Sequence, residues 1–221
     1  DAFSETPVAM VPTGTANVVS RELDLPKDLK SQVLLAMESD LRRLDLGCVG
    51  QRRFMMCVGA GFDAAIVHAM AWKRPGRGIT LQSYLPLVMG EARRYPFPPM
   101  RVTVDGVLVE EYSVFTVVGN MSRYGGPFRM FKNASPEDGL LDVCCLQGRR
   151  LIDLARYAWL ARWGRLQKGK GVNTHRGKEV ILEADERIPL QIDGDPGGEL
   201  PAILRILPGA ISFCVPFSRD F

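Results

Sequence analysis

From residue 101 to residue 215 the sequence reads almost entirely as short strands, and that limits what the chain can fold into. Runs of Val, Ile, Leu and Cys alternate there with Gly, Pro, Asp and Asn. Residues 101–104 and 107–111 flank Asp105-Gly106, a signature of a two-residue type I′ hairpin. Residues 112–118, 140–146, 179–183, 188–192, 202–206 and 211–215 read as further strands, and 151–166 as one clear helix. The N-terminal part follows a different grammar. Residues 8–11 form a short apolar run, 12–15 a turn, and 17–23 a helix. A second helix is predicted over 26–43, with Pro26 at its first position. Strands at 46–49 and 53–58 and helices at 62–72 and 80–94 follow. The prediction is an α/β fragment followed by a β-rich domain with a few helices.

Composition narrows the function classes. With 221 residues, 46% of them apolar, the chain can bury a sizeable core. It has no apolar run near the ~18–20 residues that a membrane-spanning helix needs. The five cysteines form no CxxC pair, and the acidic N-terminus lacks the apolar segment of a signal peptide. Reduced thiols and a cytoplasmic location are expected. The net charge of +3 is compatible with an anionic membrane surface or an anionic ligand.

Three stretches carry chemistry. In "VPTGTANVVSRELDLP" (residues 11–26), Gly14 allows close backbone approach, Thr13 and Thr15 offer hydroxyls, and helix amides would point at a phosphate. The alternative is a tight turn at Gly14 with Thr15 capping the helix. In "IPLQIDGDPGG" (188–198), two carboxylates, Asp193 and Asp195, flank one glycine. On an extended chain both would point to one side, as a proton acceptor and a metal-organising group require. The alternative is an Asp-Gly hairpin turn. On the helix at 151–166, Ile152, Ala155, Trp159, Trp163 and Leu166 form one stripe, with arginines on other faces. A tryptophan stripe at this spacing reads first as core packing, and second as a basic amphipathic helix on anionic membrane. Asp63 reads as a helix cap or buried anchor, and Gly125-Gly126 as a flexible loop or plain turn.

Taken in order, five motifs resemble the diacylglycerol-kinase-like lipid kinases of the bacterial diacylglycerol/sphingosine kinase type. They are the P-x-G-T-x-N turn at 12–17, "VGAGFDAAIV" (58–67), "GNMSRYGGPFRMFKNASPEDGLLDV" (119–143), "IPLQIDGDPGG", and "LRILPGAISFCVP" (204–216). The resemblance implies an ATP- and Mg²⁺-dependent transfer of a phosphoryl group to a lipid hydroxyl. It implies a fold made of an α/β remnant of a Rossmann-like nucleotide lobe (1–44), a β-sandwich-like lipid-side domain (45–210), and a C-terminal segment returning toward the first lobe (211–221). Thr15, Gly14 and Asn17 would contact ATP. Asp195 or Asp193 would be the base. Ser135, Asp138 and Leu140 would bind a structural Mg²⁺, the flanking residues through backbone carbonyls. This chain departs from the family's pattern at Asp195, where Glu is usual, at Val18, where many relatives have Asp, and at Lys132, where Pro is usual. It contains no G-G-D-G-T phosphate loop, so the resemblance implies N-terminal truncation and inactivity of these 221 residues alone. The expected partners are a lipid substrate and no nucleic acid; peripheral contact with the inner membrane face and homo-oligomer formation are compatible with it. The alternatives are a non-catalytic lipid-binding module and a sphingoid-base kinase of the same superfamily.

Overall fold

The computed structural model describes residues 6–14, 17–73, 81–126 and 128–216, the side chains of residues 73 and 81–87 excepted. After helices α1 (Val18–Glu22) and α2 (Leu29–Met37) come strands β1 (Asp40–Val49), β2 (Arg52–Phe54) and β3 (Cys57–Gly61). Helices α3 (Phe62–Lys73) and α4 (Leu81–Arg94) follow, then strands β4 (Met100–Val104), β5 (Val107–Ser113), β6 (Phe115–Gly119), β7 (Arg123–Tyr124), β8 (Phe128–Arg129) and β9 (Leu141–Leu146). Helix α5 (Leu151–Arg162) precedes β10 (Val172–Gly177), β11 (Glu179–Glu183), β12 (Pro189–Ile192), β13 (Asp195–Glu199) and β14 (Ala202–Val215).

Two six-stranded antiparallel sheets result, ordered β2-β1-β14-β11-β4-β5 and β10-β9-β6-β3-β12-β13. Alternating side chains of each sheet meet in one core. Val58, Val118, Val143 and Leu190 come from the second sheet; Val102, Val180, Leu182 and Leu204 come from the first. The second sheet is covered on its other face as well. Cys57, Val117, Cys144 and Leu146 pack there against Tyr157 and Ala161 of α5. Double burial explains why β9 is apolar with almost no alternation. The sheets form the β-sandwich domain that was expected. Its Asp105-Gly106 hairpin has both turn residues at positive φ, 48° and 81°, as a type I′ turn requires.

The N-terminal reading needs correction. The helix expected over 26–43 is α2 alone, and Leu41 already belongs to β1. Asp28, not the residue before Pro26, caps it, its side chain accepting from Ser31 N at 2.9 Å. The strand expected at 8–11 is one parallel bridge, Val8 to Phe213: Val8 N donates to the Ser212 carbonyl at 2.8 Å, and the Val8 carbonyl accepts from Cys214 N at 2.9 Å. The domain limits expected at 44–45 and 210–211 both fall within continuous strands, β1 and β14. These two strands pair along their lengths, with one irregularity: Leu44 pairs with Ile211 and Leu46 with Leu207. Asp45 is the residue skipped on the β1 side. Both the 1–44 and the 211–216 segments contribute to a second core, with Val19, Leu23, Leu35, Phe213 and Val215 in contact.

Candidate active site

One end of the second sheet gathers the residues of interest. The ladder pairs Arg176 with Asp142, Asp142 with Gly119, Gly119 with Cys57, and Val58 with Ile192. Asp142, Asn120, the Met55–Cys57 segment and the turn after β12 therefore follow one another across the strand ends.

Asp193 and Gly194 are the two loop residues of a hairpin, since Ile192 pairs with Asp195. Their φ angles are 49° and 91°. The extended geometry predicted for this pair does not occur: the turn reading holds, and the two carboxylates have different tasks. The Asp193 side chain turns back on β3. Its Oδ2 accepts from Met55 N at 2.7 Å, and its Oδ1 accepts from Met56 N and Cys57 N, each at 2.9 Å. Burial pushes its carboxyl above the usual range, with the three amides pulling the other way. Asp195 is exposed at the start of β13, and its carboxylate makes no hydrogen bond among the described residues.

Asn120 holds the same segment from the opposite side. Its backbone N–H donates to the Met56 carbonyl (2.9 Å), and its Nδ2 donates to the Met55 and Asp45 carbonyls (3.1 and 2.8 Å). Its Oδ1 is buried without a partner. Asp45, the skipped residue of β1, accepts from Gly209 N and Gly139 N, each at 2.7 Å. Glu22 of α1 accepts from Ser122 N (2.8 Å) and Ser122 Oγ (3.0 Å), joining the N-terminal helix to the loop after Asn120.

Asp63, at the start of α3, reaches over the outer face of β3. The approach is close because residue 59 is glycine. A Cβ there would lie 2.8 Å from Asp63 Oδ2 and 2.7 Å from Gln191 Nε2. Burial pushes Asp63 up to about 6. Tyr124 and Gln191 lie near enough to oppose this in part, but neither bonds Oδ2 with hydrogen-bond geometry. Asp63 is thus buried at the start of α3, as the anchor reading expected, with its carboxyl held well above the usual range.

The other predicted site residues are in the opening turn and in the loop before β9. Gly14 is exposed. Asn17 precedes α1 at φ 44° and makes no side-chain cap. Its Nδ2 donates instead to the Pro12 carbonyl at 3.1 Å, closing the turn on itself. The five-residue α1 that follows offers a nucleotide little helix dipole. Thr15 lies outside the described residues. The trio Ser135, Asp138 and Leu140 is close together, but it is already internally bonded. Asp138 N donates to the Ser135 carbonyl (3.5 Å), Leu140 N donates to Asp138 Oδ1 (3.0 Å), and Asp138 Oδ2 pairs with Arg176. As arranged, the trio does not fit Mg²⁺ well, because its one carboxylate already carries the Arg176 cation and a second cation there would meet like charge.

The stripe on α5 faces outward for most of its length. Ile152, Trp159 and Trp163 are 72%, 60% and 61% exposed, while Leu166 is buried beyond the helix. Core packing, the first reading, fails for them. Tyr157 and Ala161 face the sheet instead. The Arg162 guanidinium lies 5.5 Å from the Trp163 ring centroid, so cations and indoles share one surface.

Sequence reading left out Asp45 and the anchoring side of Asp193, and named Asn120 only within its loop. Each answers backbone groups far away in sequence, so no local spacing announces it. The one available signal was a polar residue inside an apolar strand run: Asp45 in "RRLDLGCV" and Asn120 after "FTVVG".

Comparison with known proteins places this arrangement. The family model described as the YegS C-terminal NAD kinase beta sandwich-like domain matches residues 56–215. The diacylglycerol kinase catalytic domain matches residues 2–49. A diacylglycerol kinase of Mycobacterium tuberculosis (strain ATCC 25618 / H37Rv) is 28% identical over 226 residues, which cover 97% of this chain and 71% of the relative. A diacylglycerol kinase of Staphylococcus carnosus (strain TM300) is 24% identical, over 88% of this chain and 63% of the relative. The crystal structure of a diacylglycerol kinase from Bacillus anthracis str. Sterne superposes with a TM-score of 0.70 at 19% identity, over 96% of this chain and 70% of that one.

Proposed function

The chain belongs to the YegS-type, diacylglycerol-kinase-like lipid kinase family, and on that premise we propose that it forms the acceptor side of an ATP-dependent kinase acting on a lipid hydroxyl, that of diacylglycerol or a related lipid. The reading is carried by the division of labour in one hairpin. Asp193 is fixed by three amides, while Asp195, two residues on, is exposed with a free carboxylate. In this proposal Asp195 takes the proton from the lipid hydroxyl, and Asp193 positions it by locking the turn to the Met55–Cys57 segment. Proton acceptance by a placed carboxylate is what phosphoryl transfer to an alcohol asks of a protein, besides positioning and charge.

ATP with Mg²⁺ would supply the phosphoryl group, with the exposed backbone at Gly14 and the turn closed by Asn17 on its rim. The substrate lies in a bilayer, and the proposed docking face is α5, where Ile152, Trp159 and Trp163 stand beside the exposed Arg162 and Arg165. Among the described residues no helix is long and apolar enough to cross a membrane, so the proposed contact is peripheral.

The test is transfer of labelled phosphate from ATP to diacylglycerol in mixed micelles by the full-length protein. The 221-residue chain, which has no G-G-D-G-T loop, should show none. A full-length protein that binds anionic vesicles yet phosphorylates neither diacylglycerol nor a sphingoid base would favour the lipid-binding module.

A further inference from the structure

The residues that the family resemblance marks for a structural cation already hold one. Arg176 reaches from β10 to its direct cross-strand partner Asp142 on β9, with Nε 3.2 Å from Asp142 Oδ1. The same guanidinium pairs through Nη2 with Asp138 Oδ2 in the loop leading into β9. A planar fork bridging two carboxylates is a geometry that arginine meets well and a lysine does not. The remaining Asp138 oxygen accepts from Leu140 N at 3.0 Å, and the Ser135 carbonyl faces Asp138 N. Both Asp138 oxygens thus already have protein donors, one of them the guanidinium. The other side of the loop is held without a metal too: Asp45 N donates to the Pro136 carbonyl at 2.6 Å, and Gly139 N donates to Asp45.

We propose that Arg176 takes the place of a structural divalent cation in this chain, so that the loop from Ser135 to Leu140 keeps its shape without Mg²⁺. A divalent ion at Asp138 would lie beside the guanidinium and meet like charge. Removing the guanidinium should expose the opposite behaviour. Asp138 and Asp142 would then face each other unneutralised, and Asp142 Oδ2, buried with no partner, would be free to bind a metal. The role is architectural. Arg176 lies four strands from the β12 turn, roughly 19 Å at the usual strand spacing, too far to act on the transferred group. The inference concerns this loop alone and stands whether or not the lipid-kinase reading does.

Thermal unfolding followed by circular dichroism, in nucleotide-free protein, tests it. The parent chain should melt at the same temperature in EDTA and in ~10 mM MgCl₂, whereas Arg176→Met should melt lower in EDTA and recover by at least ~2 °C with MgCl₂. Asp138→Asn added to Arg176→Met should abolish that recovery. A Mg²⁺-dependent rise in the parent that Asp138→Asn removes would overturn the proposal, and so would an Arg176→Met chain indifferent to Mg²⁺. Should Arg176→Met fold in neither buffer, Mn²⁺ electron paramagnetic resonance on the parent decides. A free Mn²⁺ signal as strong with the parent as with Asp138→Asn supports the substitution by arginine; bound Mn²⁺ lost in Asp138→Asn refutes it.

Discussion

Replacing Asp193 with Asn separates the two carboxylates of the hairpin. The amide tolerates the left-handed φ of 49° at this position, so the backbone is not the variable. The hydrogen bonds are. An Asn oxygen in the place of Oδ1 still accepts from Met56 N and Cys57 N, but Nδ2 in the place of Oδ2 meets the Met55 N–H donor to donor. One buried donor left unsatisfied costs about 1–3 kcal/mol, and loss of the buried charge offsets a part, so a net cost of about 2 kcal/mol is expected. For a chain of this size that is a fall in Tm of about 4–8 °C. Asp193→Ala, which orphans all three amides and strains the turn, should cost about 3 kcal/mol or more. Asp195→Asn, at an exposed position, should stay within about 0.5 kcal/mol of the parent. Far-UV circular dichroism melts and urea midpoints on the 221-residue chain measure all three. On the proposed kinase reading, Asp195→Asn should lower kcat by ~10²–10⁴ with KM for ATP unchanged, while the loss from Asp193→Asn should shrink on cooling. If Asp193→Asn melts with the parent, or falls no further than Asp195→Asn, the anchoring argument is wrong.

Three other outcomes follow from the same geometry. Asp63 has a folded value of about 6 against 3.8 for the free group, so its protonated form is favoured by folding, and stability should decline as pH rises from ~4 through ~6. Asp63→Asn should remove that slope, worth up to ~3 kcal/mol, in urea titrations at pH 4 and pH 8; an unchanged slope would mean the carboxyl is not buried in solution. Gly59→Ala drives a methyl against Gln191 and Asp63 and should destabilise by about 1–3 kcal/mol in the same assay. Co-sedimentation with anionic vesicles should weaken on Trp159→Ala and on Arg162→Ala, about fivefold for the arginine, and weaken again with salt. Equal binding to neutral vesicles would discard the cationic contribution.

The strands were legible where pairing is local or burial is complete. β11 spans Glu179–Glu183 as expected, and the Asp105-Gly106 turn fixed its hairpin. The second helix ran too long on paper because Leu41 continues an apolar spacing that β1 then uses for pairing with β14. The tryptophan stripe was misread because helical spacing says which residues share a face and not where that face points. The Asp193–Asp195 pair was half legible. Its composition was plain, but side-chain alternation assumes an extended chain, and both Asp193 and Gly194 turn it. Asp45, Asn120 and Asp63 serve backbone and side-chain groups brought near only by folding, so local spacing could not assign their tasks.

All three tryptophans of the chain stand at its surface: Trp159 on α5, Trp163 capping its C-terminus, and Trp72, 90% exposed, near the end of α3. Its ultraviolet emission therefore reports on the exterior. The native protein should already emit at long wavelength, so denaturation would move the spectrum little and would be easily overlooked by that probe. Two of the three indoles sit on the face assigned to the bilayer. A blue shift on adding vesicles, protected from an aqueous quencher, would come from those two, leaving Trp72 as the quenchable remainder. The fold has in effect placed its chromophores where an encounter can be seen and a collapse cannot.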